Sequence, residues 1–192
     1  MLEGRAHPVL NEWNYVKGWC DDWVYSLEVE RGRFNQECAA FIASTMIDCQ
    51  YRPLDLMMYY DARPVGMNAL FDPQSLAPMR GYYPFVAWRN LRRLGERVSV
   101  ENGFKSGVWA VAAKGTDGKL GVLIVNYTND DNRYTPKRVT LRLKSGESLA
   151  KAVCHLTDRT YIYTQFDPEP NEDGSIDLTL MPNSFVYVST GS

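Results

Sequence analysis

Apolar positions change their rhythm about halfway along this chain, and that change divides it. From His7 to Gly95, strand-like and helix-like patterns alternate, whereas from about Val98 only short strands and turns follow. The first strand lies in His7-Pro8-Val9-Leu10-Asn11-Glu12-Trp13-Asn14-Tyr15 and ends on a carboxylate beside aromatic side chains. A helix is predicted from about Arg33 to Gln50, because Cys38, Phe41, Ile42, Thr45, Met46 and Cys49 recur at helical spacing. Leu54 to Tyr60 is nearly continuous in apolar and aromatic residues, the pattern of a parallel strand covered on both sides. Asp61 closes it. A long loop from Ala62 to Arg80 carries turn chemistry at Asp72-Pro73. The second predicted helix runs from about Tyr83 to Leu94, with Pro84 in its first turn, Phe85, Trp88 and Leu91 as its apolar stripe, and Gly95 as its cap.

In the second half, Val108 to Ala113 and Leu120 to Tyr127 flank the hairpin signal Thr116-Asp117-Gly118. Val139, Leu141 and Leu143 alternate with polar residues, so that strand has one wet and one dry face. Ala152 to Leu156, Tyr161 to Phe166, Ile176 to Leu180 and Phe185 to Val188 supply further strands at intervals suited to a β-sandwich. The expected fold is therefore α/β followed by all-β, with a unit at 1–96 and an antiparallel β-sandwich at 97–192.

Composition narrows the function. With 45% hydrophobic residues, 192 residues can bury one sizeable core or two small ones. The balance of 21 basic against 23 acidic side chains leaves no footprint for nucleic acid or an anionic membrane, and neither partner is expected. Met1 to Arg5 lack the apolar run of a signal peptide, so a cytoplasmic location is expected by default. Four cysteines without close spacing suit neither a disulfide framework nor a zinc site, and a reduced, buried role is expected for them. Cys38 and Cys49 share one predicted helix about three turns apart, far beyond the roughly 5.5 Å Cα spacing of a disulfide. There is no Gly-rich phosphate loop, and neither His7 nor His155 belongs to a nucleophile triad, so no cofactor and no metal are expected.

Glu12 is the sharpest candidate for chemistry. A retaining glycosidase needs an ionised carboxylate to attack the anomeric carbon from the face opposite a protonated acid. In a (β/α)₈ barrel such groups close the strands at their carboxyl ends. Asn11, Trp13, Asn14 and Tyr15 beside it, with Trp19 and Trp23 further on, are candidate sugar contacts through stacking and hydroxyl binding. The alternative for the aromatics is packing, which is favoured for Trp23. Tyr60, Asp61 and Arg63 would share the rim with Glu12 if the two strands run parallel, with an Asp61 salt bridge as the plainer alternative. Asn171-Glu172 lies within Pro170-Asn171-Glu172-Asp173-Gly174 and reads as a turn.

Leu54 to Pro64, Asn68-Ala69-Leu70-Phe71-Asp72-Pro73, and Gly81-Tyr82-Tyr83-Pro84-Phe85 with Trp88, Leu91 and Leu94-Gly95 together carry a resemblance. They resemble the closing part of retaining barrel-clan glycoside hydrolases, nearest to the β-xylosidase and α-L-iduronidase family, glycoside hydrolase family 39. The resemblance implies that residues 1–96 are the last two βα units of an incomplete TIM barrel leading into the sandwich. Counted back from the sandwich, the strand of Glu12 looks like the seventh, which carries the nucleophile in that clan. The acid/base glutamate of the family, in an Asn-Glu pair ending the fourth strand, has no counterpart here.

The expected function is thus a C-terminal fragment or subunit of a retaining glycoside hydrolase acting on O-glycosidic bonds of a carbohydrate substrate. It would be inactive alone, with the missing barrel part or another chain as partner. The competing reading is a non-catalytic carbohydrate-binding or structural sandwich module.

Overall fold

The computed structural model describes residues 7–15, 35–64, 70–101, 107–130 and 135–190. Two strands, β1 (Val9–Trp13) and β2 (Leu56–Tyr59), pair in parallel. Helix α1 (Gln36–Cys49) lies between them in sequence, as a parallel connection requires. Asn35 caps its start, its side-chain oxygen accepting the Glu37 N–H at 2.8 Å. Helix α2 (Tyr83–Leu94) follows a 3₁₀ turn at Arg80–Tyr82, has Pro84 in its first turn, and stops at Gly95, whose φ of 102° suits glycine.

Eight further strands build two antiparallel sheets: β3 (Glu96–Val98), β4 (Val108–Lys114), β5 (Leu120–Asn126), β6 (Lys137–Leu141), β7 (Ala152–Thr157), β8 (Thr164–Phe166), β9 (Ile176–Leu180) and β10 (Ser184–Thr190). Their order is β3-β4-β5-β10-β7-β8 in one sheet and β6-β9 in the other. The β4–β5 hairpin turns at Gly118, and Asn126 bridges the sheets by donating its amide to the Leu180 and Met181 carbonyls at 3.1 Å each. Two sheets do face each other, but the larger is covered on both sides. Ala110, Ala112, Val122, Ile124, Val186 and Val188 meet Ile176, Leu178 and Leu180 on one face. Val111, Ala113, Leu123, Val125, Phe185 and Tyr187 meet Ala39, Ala40, Ala43 and Ile47 of α1 and Ala87 and Leu91 of α2 on the other. The molecule is mixed α/β, with helices, a six-stranded sheet and a two-stranded sheet in three layers.

This arrangement explains the unbroken apolar runs of β4 and β5, which leave no polar position between two dry faces. Small residues let the helices approach. A Cβ at Gly121 would stand 2.8 Å from Leu94 Cδ1 and from the Tyr187 hydroxyl. Phe185, between sheet and helices, is the largest of the fully buried side chains among the described residues. Phe185→Ala should cost about 3–5 kcal/mol, read as a lower denaturation midpoint at unchanged slope.

One expectation is corrected. The run Leu54 to Tyr60 is covered on one side only: Met57 and Tyr59 face the helices, while Leu56, Met58 and Tyr60 are 49%, 45% and 37% exposed. Val9, opposite Leu56 on β1, is 47% exposed as well. On that face the Arg63 guanidinium lies 5.4 Å from the centre of the Tyr60 ring while Val9, Leu56 and Met58 stay exposed, so the run is apolar without being enclosed. Of the cysteines, Cys38 and Cys154 are buried, whereas Cys49 is only half-buried. No helix among the described residues is long and apolar enough to cross a membrane.

Candidate active site

Because β1 and β2 are parallel, their carboxyl ends form one edge, and this edge gathers most of the residues expected to carry chemistry. Pairing runs from Leu10 opposite Met57 to Trp13 opposite Tyr59, three steps on β1 against two on β2. One extra residue is therefore inserted, a bulge of the kind that re-aims side chains next to active sites. Leu10 and Trp13 both turn toward the helices, and Asn11 and Glu12 between them are both exposed. The bulge thus presents two polar side chains in succession on the open side, where a regular strand would present one.

At the end of β2, Tyr60, Asp61 and Arg63 form a closed set. Arg63 Nε donates to Asp61 Oδ2 at 2.6 Å, its backbone N–H to Asp61 Oδ1 at 2.8 Å, and its Nη2 to the Tyr60 hydroxyl at 2.7 Å. The Asp61 carboxylate raises the pKa of the guanidinium, which stays charged. The salt bridge considered for Asp61 is present, and its arginine comes from two residues further along the same loop. The set is exposed, so it contributes position and polarity to the rim more than stability. The Tyr60–Asp61 peptide is cis.

Trp13 and Tyr15 face the other way. Tyr15 is 4% exposed and lies in a cluster with Cys38, Ile42, Met46 and Leu70. Its ring stands 5.2 Å from that of Phe41. Burial, with the Glu37 carboxylate nearby, pushes its hydroxyl well above the ordinary value, so it stays protonated. The expectation of a sugar contact at Tyr15 is corrected: the chain turns inward after the bulge and buries the ring. Trp13 is half-buried, edge-on to Tyr59 at 5.0 Å and tilted against Phe41 at 6.4 Å. These rings form the support behind the rim. Trp19 and Trp23 lie outside the described residues, as do residues 65–69 of the loop after Pro64.

Residues 72–77 of the loop have the expected turn. Asp72 accepts the Ser75 hydroxyl and the Gln74 and Ser75 backbone N–H groups, which hold its carboxyl below the usual range. Arg80 then donates to the Asp158 and Arg159 carbonyls, at 2.9 and 3.0 Å, tying this segment to the sheet of β7 and β8. Asn171-Glu172 does form a turn, closed by the Gly174 N–H on the Asn171 carbonyl at 2.9 Å. No cluster of three or more metal-ligating side chains occurs among the described residues.

Sequence reasoning names Asn14 as a candidate sugar contact but does not find its tie to the partner strand. Its Oδ1 accepts the Tyr59 hydroxyl at 2.8 Å and the Tyr15 N–H at 2.7 Å. The signal available was an asparagine two residues after a strand-ending glutamate, which carries no meaning until the partner strand is placed.

No family model matches the chain, and no curated protein does. Solved structures do. A glycoside hydrolase family 30 subfamily 8 xylanase from Clostridium acetobutylicum superposes with a TM-score of 0.67 at 14% identity, over 96% of this chain and 43% of its own. A glucosidase from Croceicoccus marinus gives 0.65 at 15% identity, over 97% and 47%. A family 39 enzyme from Xanthomonas axonopodis pv. citri gives 0.59 at 11%, over 95% and 44%. The chain has the fold of part of these glycoside hydrolases and spans less than half of their length.

Proposed function

We propose that this chain is the C-terminal part of a retaining glycoside hydrolase and that Glu12 is its nucleophile. The observation that carries the reading is an exposed carboxylate on a bulge at the carboxyl end of a parallel strand, in a chain whose fold matches part of glycoside hydrolases. Residues 1–96 are then the last two βα units of a barrel. The bare face of Val9, Leu56, Met58 and Tyr60 is the barrel interior that the remaining strands would enclose.

In the reaction, the Glu12 carboxylate attacks the anomeric carbon while a second carboxylic acid, supplied by the remaining strands, protonates the departing oxygen. Carbon–oxygen cleavage leaves a glycosyl ester on Glu12. Water, deprotonated by the second group, then displaces the ester and restores the carboxylate. Asn11 and the Tyr60, Asp61 and Arg63 set bind sugar hydroxyls at the same edge, with O-glycosides as the substrate class. The chain by itself lacks the proton donor and is inactive.

The test is covalent trapping. Native protein from its source, incubated with an activated 2-deoxy-2-fluoro glycoside, should gain one glycosyl mass on the peptide containing Glu12. A label on another carboxylate would overturn the assignment. Turnover by the 192-residue chain alone would overturn the need for a completing part. Sugar binding without any label or turnover in the native protein would favour the non-catalytic module.

A further inference from the structure

We infer that Asn14 is a positioning residue that aims the Glu12 carboxylate, an inference that rests on the nucleophile reading above. A bulge leaves one residue without a place in the strand ladder, so the direction of its side chains depends on how the backbone is pinned on either side. Before the bulge, the pairing of Leu10 with Met57 holds β1. After it, the Tyr60 N–H donates to the Trp13 carbonyl at 2.9 Å. That bond and the pairing of Trp13 with Tyr59 fix the position of the strand end but not the rotation of the residues after it. Asn14 removes the freedom by joining the strand end at two points, the Tyr59 hydroxyl on β2 and the Tyr15 N–H.

The acceptor is defined by chemistry. A backbone N–H can only donate, so the atom 2.7 Å from Tyr15 N is the side-chain oxygen. The same oxygen receives the Tyr59 hydroxyl. Tyr59 is itself held, with its ring edge-on to Trp13 at 5.0 Å and to Phe85 of α2 at 5.4 Å. The chain of contacts runs from α2 through Tyr59 and Asn14 to the two residues beyond the bulge. A displacement of about 1 Å at a reacting group can cost about 100-fold in rate. What the position requires is an acceptor oxygen, which aspartate also supplies and leucine does not.

The experiment uses native protein and its Asn14→Leu, Asn14→Asp and Tyr59→Phe variants. Asn14→Leu should lower kcat about 10- to 100-fold with KM within about twofold. Asn14→Asp should recover most of the loss on the alkaline side and move the acid limb of the rate profile to higher pH, because its charge opposes ionisation of Glu12. Tyr59→Phe should lower kcat less, and should add little to Asn14→Leu. A loss of thermal stability with unchanged kcat, or an aspartate variant as slow as leucine, would overturn the inference. If Asn14→Leu does not fold, the milder Tyr59→Phe decides, and unchanged kcat there overturns it too. Fluoro-glycoside labelling separates the two readings. A label away from Glu12 removes the nucleophile assignment, whereas a label on Glu12 at the wild-type rate in Asn14→Leu removes only the role of Asn14.

Discussion

Glu12→Gln in the native protein should lower kcat/KM for an aryl glycoside by a factor on the order of 10⁴ or more while leaving the unfolding transition almost in place. Glutamine keeps the shape and exposure of the side chain and removes the anion that, on the proposed reading, forms the covalent ester. Little stability is at stake, because the side chain is exposed, and such substitutions usually fall within about 0.5 kcal/mol. Glu172→Gln is the matched control. It also follows an asparagine, but it sits in the turn closed by Asn171 and Gly174, and it should leave the rate unchanged. Hydrolysis at the normal rate by Glu12→Gln would remove the nucleophile role. A variant that loses both rate and cooperative unfolding would show instead that the bulge needs the carboxylate to fold.

A single carboxylate cannot complete a double displacement, because protonation of the leaving oxygen and activation of water need a second group about 5–5.5 Å away. The bare sheet face points to the same gap by a different route. Val9, Leu56 and Met58 are apolar and exposed, and a patch of this kind on an open two-stranded sheet is a packing surface. On the proposed reading, chemistry and packing both call for further structure on the same side of the sheet.

How much of this was legible in the sequence depends on whether a residue's meaning was local. Helix α2 was fully legible: proline in the first turn, an aromatic stripe and a terminal glycine each act within a few residues, and Tyr83–Leu94 is the observed span. Ile176–Leu180 follows its alternation in the same way. Helix α1 begins at Gln36, behind the Asn35 cap, and not at Arg33, because its apolar periodicity does not mark its first turn. Strand β3, Glu96–Val98, falls on the boundary placed at 96/97 and is not predicted, since three residues give too few positions to show a period and its pairing with β4 is supplied by the sheet. The run at β2 misled because an apolar residue in sequence is no witness to what covers it. At the rim, Glu12 stood out by residue type, whereas Tyr15 was ambiguous. Its inward turn follows from a bulge whose existence depends on the register with β2.

The boundary near Gly95 invites the idea that the second half folds as a module, and the shared core predicts otherwise. A chain starting at Glu96 would retain all eight strands of the two antiparallel sheets and lose α1 and α2. Val111, Leu123, Val125, Phe185 and Tyr187, each no more than 5% exposed in the whole chain, would then form an open apolar face. At about 1.5–3 kcal/mol for each side chain, the lost burial is about 10 kcal/mol. That is comparable to the entire stability of an ordinary domain, about 5–15 kcal/mol. The truncated chain should therefore be insoluble or lack cooperative unfolding, as seen by circular dichroism and size-exclusion chromatography. Phe185→Ala in the whole chain, with a loss of only about 3–5 kcal/mol, should still fold. A soluble, cooperatively folding monomer from residues 96–192 would show that the helices lean on the sheet without sustaining it. The non-catalytic sandwich module would then become the stronger account of the chain.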